Sequence, residues 1–129
     1  MTWTAVLLVA LGSAIGGVAR FALGEWWAFR AETGFPWATI VINVSGSFLI
    51  GLAFGLSERA WVRQFVAVGL LGGYTTFSSF SLQTLQLVHE QRFGAACANV
   101  GVSVACCLIA VWLGYALAKL IAPQALTSA

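Results

Sequence analysis

The sequence predicts an all-α membrane protein. Four transmembrane helices form a single domain over 1–129, with the third helix broken near its middle, and two copies assemble as an antiparallel, dual-topology homodimer. Three observations carry this reading. First, 60% of the 129 residues are hydrophobic and only 8% are charged, with a mean hydropathy of +0.94. A water-facing domain carries about 25% charged residues, so the solvent is lipid. Second, the charges cluster and leave charge-free runs over 1–19, 33–57, 64–89 and 93–118. Each is close to or above the roughly 20 residues a helix needs to cross the hydrocarbon core. Third, Lys and Arg are balanced. Arg59, Arg63 and Lys119 fall on the side of the termini, against Arg30, Arg92 and, if it reaches the interface, Arg20 on the other. The positive-inside rule therefore has almost no excess to act on, and insertion both ways up is expected. The alternative is one weakly biased orientation.

Helix one is expected over 4–23. Thr2 to Val9 carry no charge and three further spans follow, so the first run reads as a span and not a cleaved signal. Gly12, Gly16 and Gly17 form a small-residue stripe that lets a neighbouring backbone approach. Arg20 follows one turn later. It either snorkels to the interface or places positive charge at the mouth of an aqueous vestibule.

Helix two is expected over 36–56, with Pro36 in its first turn and Trp37 in the interfacial belt. Thr39, Asn43 and Ser47 recur every fourth residue and share a face that Gly51 and Gly55 continue. A primary amide in hydrocarbon must find partners. Asn43 is therefore either an interhelical hydrogen-bonding residue or a donor lining a water-filled track.

Helix three is expected over 64–88 and broken near 72–76. Gly72 and Gly73 followed by Thr75 and Thr76 make poor helix. A break frees backbone carbonyls and survives at membrane depth only where protein buries it or it lines a cavity. The alternative is a continuous helix whose Ser and Thr hydroxyls bond back to its own carbonyls. Phe77 and Phe80 share a face if the chain after the break is helical. Their positive ring edges offer a small anion an attraction without a trapping charge, unless both rings simply pack in lipid or core.

Helix four is expected over 93–118. Asn99, Ser103 and Cys107 repeat the one-sided polar stripe of helix two, and Trp112 and Tyr115 read as interfacial anchors. Cys97, Cys106 and Cys107 lack metal-ligand spacing and read as packing residues. The tail from Ala122 to Ala129 is expected to be poorly ordered.

The expected spans thus supply hydroxyls and amides without Asp, Glu, His or Lys in their middle. Proton-coupled transporters need such a group, so the pattern favours passive conduction. With no nucleophile–base pair, metal cluster or phosphate loop, the chain does not read as an enzyme. A net charge of +2 is too small for nucleic-acid binding.

Three motifs then resemble one family. Gly72-Gly73-Tyr74-Thr75-Thr76-Phe77-Ser78-Ser79-Phe80-Ser81 is similar to the signature of the Fluc (CrcB) fluoride channels. Gly16-Gly17-Val18-Ala19-Arg20 resembles the family's first-helix motif, and Asn43-Val44-Ser45-Gly46-Ser47-Phe48 its second. The resemblance spans the whole chain in order and length. It implies passive export of fluoride that lowers its cytoplasmic concentration, across the inner or plasma membrane, by an antiparallel homodimer with two pores. It further implies ion coordination by the ring edges of Phe77 and Phe80, with Asn43 and Ser79 as donors and Arg20 at the vestibule. A structural Na⁺ would sit at the dimer centre on the backbone carbonyls of Gly72 and Thr75. In helix four the family's track carries Tyr or His and then hydroxyls. Here Asn99, Ser103 and Cys107 stand instead, a departure from the pattern. The rival reading is a small multidrug-type dual-topology transporter. It needs a carboxylate deep in helix one, and Glu25 lies near the end of that span. Dual insertion predicts that C-terminal reporter fusions specific for either side of the membrane are both active; activity confined to one side rejects it.

Overall fold

The computed structural model describes residues 2–28 and 34–122. The charges Arg30 and Glu32, and the tail from 123 onward, lie outside the described residues. The described chain is helical throughout, without strands, and four helices are long and apolar enough to span a membrane: α1 (Trp3–Ala28), α2 (Trp37–Leu56), α3 (Val62–His89) and α4 (Phe93–Ile121). The sequence made α1 end near Leu23. Its continuation to Ala28 carries Glu25, Trp26 and Trp27 on helix and gives the span an extra turn beside the first loop.

α3 is bent. Its 28 residues would reach about 42 Å as a straight α-helix, well beyond a hydrocarbon core of about 30 Å. The first half, α3a, winds as a wide π-helix over Val62–Leu71 and closes with one α turn at Gly72–Tyr74. Thr75 (φ −79°, ψ 157°) and Thr76 (φ −150°, ψ 110°) are extended. The second half, α3b, is α-helical over Phe77–His89. The break falls on the β-branched pair, whose branched Cβ suits extended backbone.

α2 packs mainly on α4, α1 on α3a, and α3b on α4. Glycine makes the tightest helix contacts possible. A Cβ on Gly114 would collide with the Phe48 carbonyl, and one on Gly51 with the Val111 carbonyl, so α2 and α4 touch backbone to backbone. On α1, Gly16 is pressed in the same way against the Leu70 carbonyl, whereas nothing lies within 4 Å of a Cβ on Gly17. The predicted α1 stripe therefore narrows to Gly12 and Gly16. In lipid, where apolar side chains gain little by associating, such close approach is a main source of helix affinity.

α3b ends in a Schellman closure. Arg92 N–H bonds Leu87 O at 2.9 Å and Gln91 N–H bonds Val88 O at 3.0 Å, with Gln91 left-handed at φ 59°. Arg92 then donates to Gly34 O at 2.7 Å and pairs with Glu90 at 3.3 Å. The far end of α3b is thereby tied to the residues that lead into α2. Gly114→Ala is expected to force α2 from α4 and lower stability by about 1–3 kcal/mol, as overpacking does. Gly94→Ala, where a Cβ meets nothing within 4 Å, is expected to be tolerated. Thermal unfolding of the purified protein in detergent compares them, and equal midpoints would refute the packing account.

Candidate functional site

The break turns the backbone N–H and C=O of Thr76 towards α2, and a side chain from α2 meets both. Thr76 N–H bonds Asn43 Oδ1 at 2.8 Å, and Asn43 Nδ2 donates to Thr76 O at 3.1 Å. The amide mimics a peptide in a two-bond pair. Because Thr76 N–H requires an acceptor, the pairing also fixes which way the amide faces. Asn43 thus does what an interhelical hydrogen-bonding residue does. An amide nitrogen has two protons, so one N–H remains beyond the one given to Thr76.

Other groups close the break on either side. Thr75 N–H and Thr75 Oγ1 both bond Leu71 O, at 3.0 and 2.9 Å. Arg20 Nε–H donates to Gly73 O at 3.2 Å. The half-buried Arg20 therefore neither snorkels freely nor merely decorates a surface. It caps the carboxyl end of α3a, where a cation is favoured, and its other N–H groups remain. Thr76 Oγ1 caps α3b, accepting from Ser79 N–H at 3.2 Å and donating to Ser79 Oγ at 3.0 Å. Ser79 Oγ is thus an acceptor in that pair, and its own proton is left to give elsewhere.

This diversion releases two carbonyls. In an unbroken helix, Gly72 O would receive Thr76 N–H and Thr75 O would receive Ser79 N–H. Here the first donor goes to Asn43 and the second to the Thr76 hydroxyl. The carbonyls of Gly72 and Thr75 thus lose the donors a helix would supply. They are hard oxygen donors of the kind a small cation takes. No cluster of three His, Cys, Asp or Glu occurs among the described residues.

Two cavities meet at the break. A cleft of about 330 Å³ is lined by Asn43, Thr75, Phe77, Phe80, Ser103 and Cys107, among others. A vestibule of about 380 Å³ is lined by Arg20, Glu25, Trp27, Thr39, Ser79 and Gln83, among others. Thr76 lines both, so the peptide that Asn43 holds forms a wall common to the two. Phe77 and Phe80 stand with ring centroids 5.3 Å apart and planes 46° apart. Phe80 is buried, while Phe77 is 78% exposed on this chain.

The residues expected to line a track thus divide. Asn43, Phe77, Phe80 and Ser103 share the cleft, and Ser79 and Arg20 share the vestibule. Asn99 lines neither. It is fully buried behind the cleft, where Asn99 Nδ2 donates to Thr84 Oγ1 at 2.9 Å and Ser103 Oγ donates to Asn99 Oδ1 at 3.4 Å. Thr84 in turn donates to Phe80 O at 2.8 Å, so a hydrogen-bond chain joins Phe80 to Ser103 through Asn99. Sequence reasoning passed over Thr76, although a Thr opening a helix and facing a backbone N–H three residues on is a capping signal. It also passed over Gln83, one of several polar residues on α3b. Cys107, read as packing, lies on the cleft wall.

Residues 7–115 match the family described as CrcB-like protein, Camphor Resistance (CrcB). A Paramagnetospirillum magneticum protein named fluoride-specific ion channel FluC is 53% identical over 121 residues, covering 88% of this chain and 94% of its own. A protein of the same name from Methylocella silvestris is 48% identical over 121 residues (87% and 91%). Another from Rhodospirillum rubrum is 50% identical over 123 residues (89% and 95%).

Asn43→Ala is expected to leave both polar groups of Thr76 without partners, at about 1–3 kcal/mol for each. Thr76→Val removes the cap and is expected to cost about 1 kcal/mol. Ser81→Ala, which removes only a bond back to Phe77 O, is expected to change little. Thermal unfolding in detergent orders the three. An Asn43→Ala protein as stable as the parent would show that the pair does not hold the break.

Proposed function

The chain belongs to the CrcB-like family, and on that premise we propose that it is a multi-pass membrane channel selective for fluoride, giving passive export that lowers cytoplasmic fluoride. The observation that carries this reading is the break in α3, where Thr76 walls two cavities at once and polar groups without formal charge line both. Fluoride is small and strongly hydrated. Moving an unpaired ion into low dielectric costs on the order of tens of kcal/mol, so a pore must return the hydrogen bonds that dehydration removes. The remaining N–H of Asn43 and the free proton of Ser79 stand on either side of Thr76 and can serve an ion in turn. Ser103 holds its partner loosely, at 3.4 Å, and can turn its proton to the cleft. Phe77 and Phe80 offer electropositive ring edges to the anion, in place of a Lys or Arg charge that would hold it too tightly for exit. Asn99 acts through Ser103 and Thr84 as a positioning residue.

The functional unit is an antiparallel homodimer. Two features support this. The balanced Lys and Arg favour insertion both ways up. The cleft is open along one side, with Asn43, Ser103 and the unwound backbone on its wall and Phe77 78% exposed at its edge. Polar backbone facing lipid is not tolerated, and a second copy would close the cleft. The carbonyls of Gly72 and Thr75, relieved of their helical donors, fit a structural Na⁺ shared with the second copy. Such an ion would fix the two breaks against each other; the pathway itself relies on the side chains above.

A drug-carrying transporter with a deep carboxylate finds less support. Glu25 is the acidic residue of α1 and lies in its last turns. Liposomes containing the purified protein are expected to release fluoride and retain chloride, read with ion-selective electrodes. Equal release of both ions would remove the selectivity. Phe80→Ile is expected to slow fluoride release about tenfold, the equivalent of ~1.4 kcal/mol at the barrier, with an unchanged elution volume in size-exclusion chromatography.

A further inference from the structure

The vestibule holds two polar atoms that have no partner among the described residues. Trp27 Nε1 and Gln83 Oε1 are both buried and make no hydrogen bond among the described residues. Both side chains line the vestibule, together with Arg20 and Ser79. A buried unsatisfied donor or acceptor costs about 1–3 kcal/mol, and native proteins leave few of them. Two such atoms in one cavity, on α1 and α3b, point to something that occupies it.

The pairing of types says what. Trp27 Nε1–H can only donate, and Gln83 Oε1 can only accept. An anion satisfies the first and not the second. Water satisfies the second, because it can accept from or donate to either neighbour. The lining carries charge of both signs, since Glu25 lines the vestibule together with Arg20. Directed N–H and O–H groups add an attraction for an anion that net charge does not supply.

We propose that the vestibule binds fluoride in a partly hydrated state, with Trp27 Nε1–H donating to the ion and Gln83 Oε1 accepting a hydrogen bond from a water the ion retains. This rests on the fluoride-channel reading and deepens it. Arg20, already anchored on Gly73 O, and Ser79, with its free proton, complete the donor set on the side facing Thr76. Trp27 lies on α1 seven residues after Arg20, so the two fall on one face of the helix two turns apart. Gln83 lies four residues after Ser79 and seven after Thr76, on the α3b face that leads to the break. Thr76, Ser79 and Gln83 thus form a polar ladder that hands the ion inward while it loses water.

Trp27→Phe removes the N–H and keeps an aromatic ring. Gln83→Met removes the carbonyl and keeps the length. In liposomes, both are expected to raise the fluoride concentration giving half-maximal release about tenfold, as loss of one hydrogen bond to a charged or polarised partner predicts. The maximal rate and the elution volume are expected to stay near those of the parent. A second measurement does not depend on transport. Sodium fluoride, against sodium chloride at equal ionic strength, is expected to change the tryptophan emission of the parent more than that of Trp27→Phe. A parent-like concentration dependence in Trp27→Phe overturns the proposal. If the parent itself releases no fluoride, the channel reading fails, and the emission comparison alone decides the site: an equal response in parent and variant overturns it.

Discussion

The structure depends on how the backbone of one residue, Thr76, is held. Hydrocarbon offers no water to a backbone N–H or C=O, so a helix that unwinds inside a membrane needs every freed group met by protein or by a protected cavity. Asn43 meets two of them by bonding Thr76 through both its amide atoms. Arg20 on Gly73 O and the Thr76 hydroxyl on Ser79 N–H meet two more. Side chains of α1 and α2 therefore both brace the break in α3, while the carbonyls of Gly72 and Thr75 are left without their helical donors.

With the proposed pathway, this arrangement makes stability and conduction share residues. Asn43 is both the clamp on the break and a wall of the cleft, and Arg20 is both a helix cap and a vestibule side chain. Truncating either disturbs the scaffold before any ion is considered. Ser79 and Phe80 are better separated from this duty. Ser79 accepts from Thr76, so its own proton is free. The backbone of Phe80 is tied to Thr84, while its ring faces the cleft. A polar path through lipid is built most economically where the groups that mend a broken helix have hydrogen-bonding capacity left over.

Much of this was legible in the residue order. Charge-free runs of sufficient length mark the four spans, and two glycines before two threonines mark the break, because both are local properties. The extended pair falls on Thr75 and Thr76, within the expected 72–76. The sequence was less informative where partnership across helices decides the outcome. Asn43 and Asn99 look alike as lone amides on polar stripes, yet one lines the cleft and the other is buried behind it, holding Ser103 and Thr84. Nothing local distinguishes them. What separates them is whether the facing segment is broken, as at Thr76, or helical, as at Thr84. α1 runs past the expected end at 23 because helix continues as long as its backbone bonds are made, and the charged side chain of Glu25 does not stop it.

Glu25 in turn changes how the vestibule is understood. Arg20 alone would make it an electropositive funnel, attracting any anion and, by the same attraction, slowing its departure. With a carboxylate on the same lining, the vestibule carries both signs of charge. Selection then falls to groups that act only at contact: N–H and O–H bonds whose strength rises as the anion becomes smaller and its charge more concentrated. A net charge cannot prefer fluoride over a larger halide, since both carry one unit. Short directed donors can, because a small ion comes closer to each. A vestibule with both signs of charge, leading to an uncharged cleft, thus suits the task of distinguishing anions by size and hydration while still letting them leave.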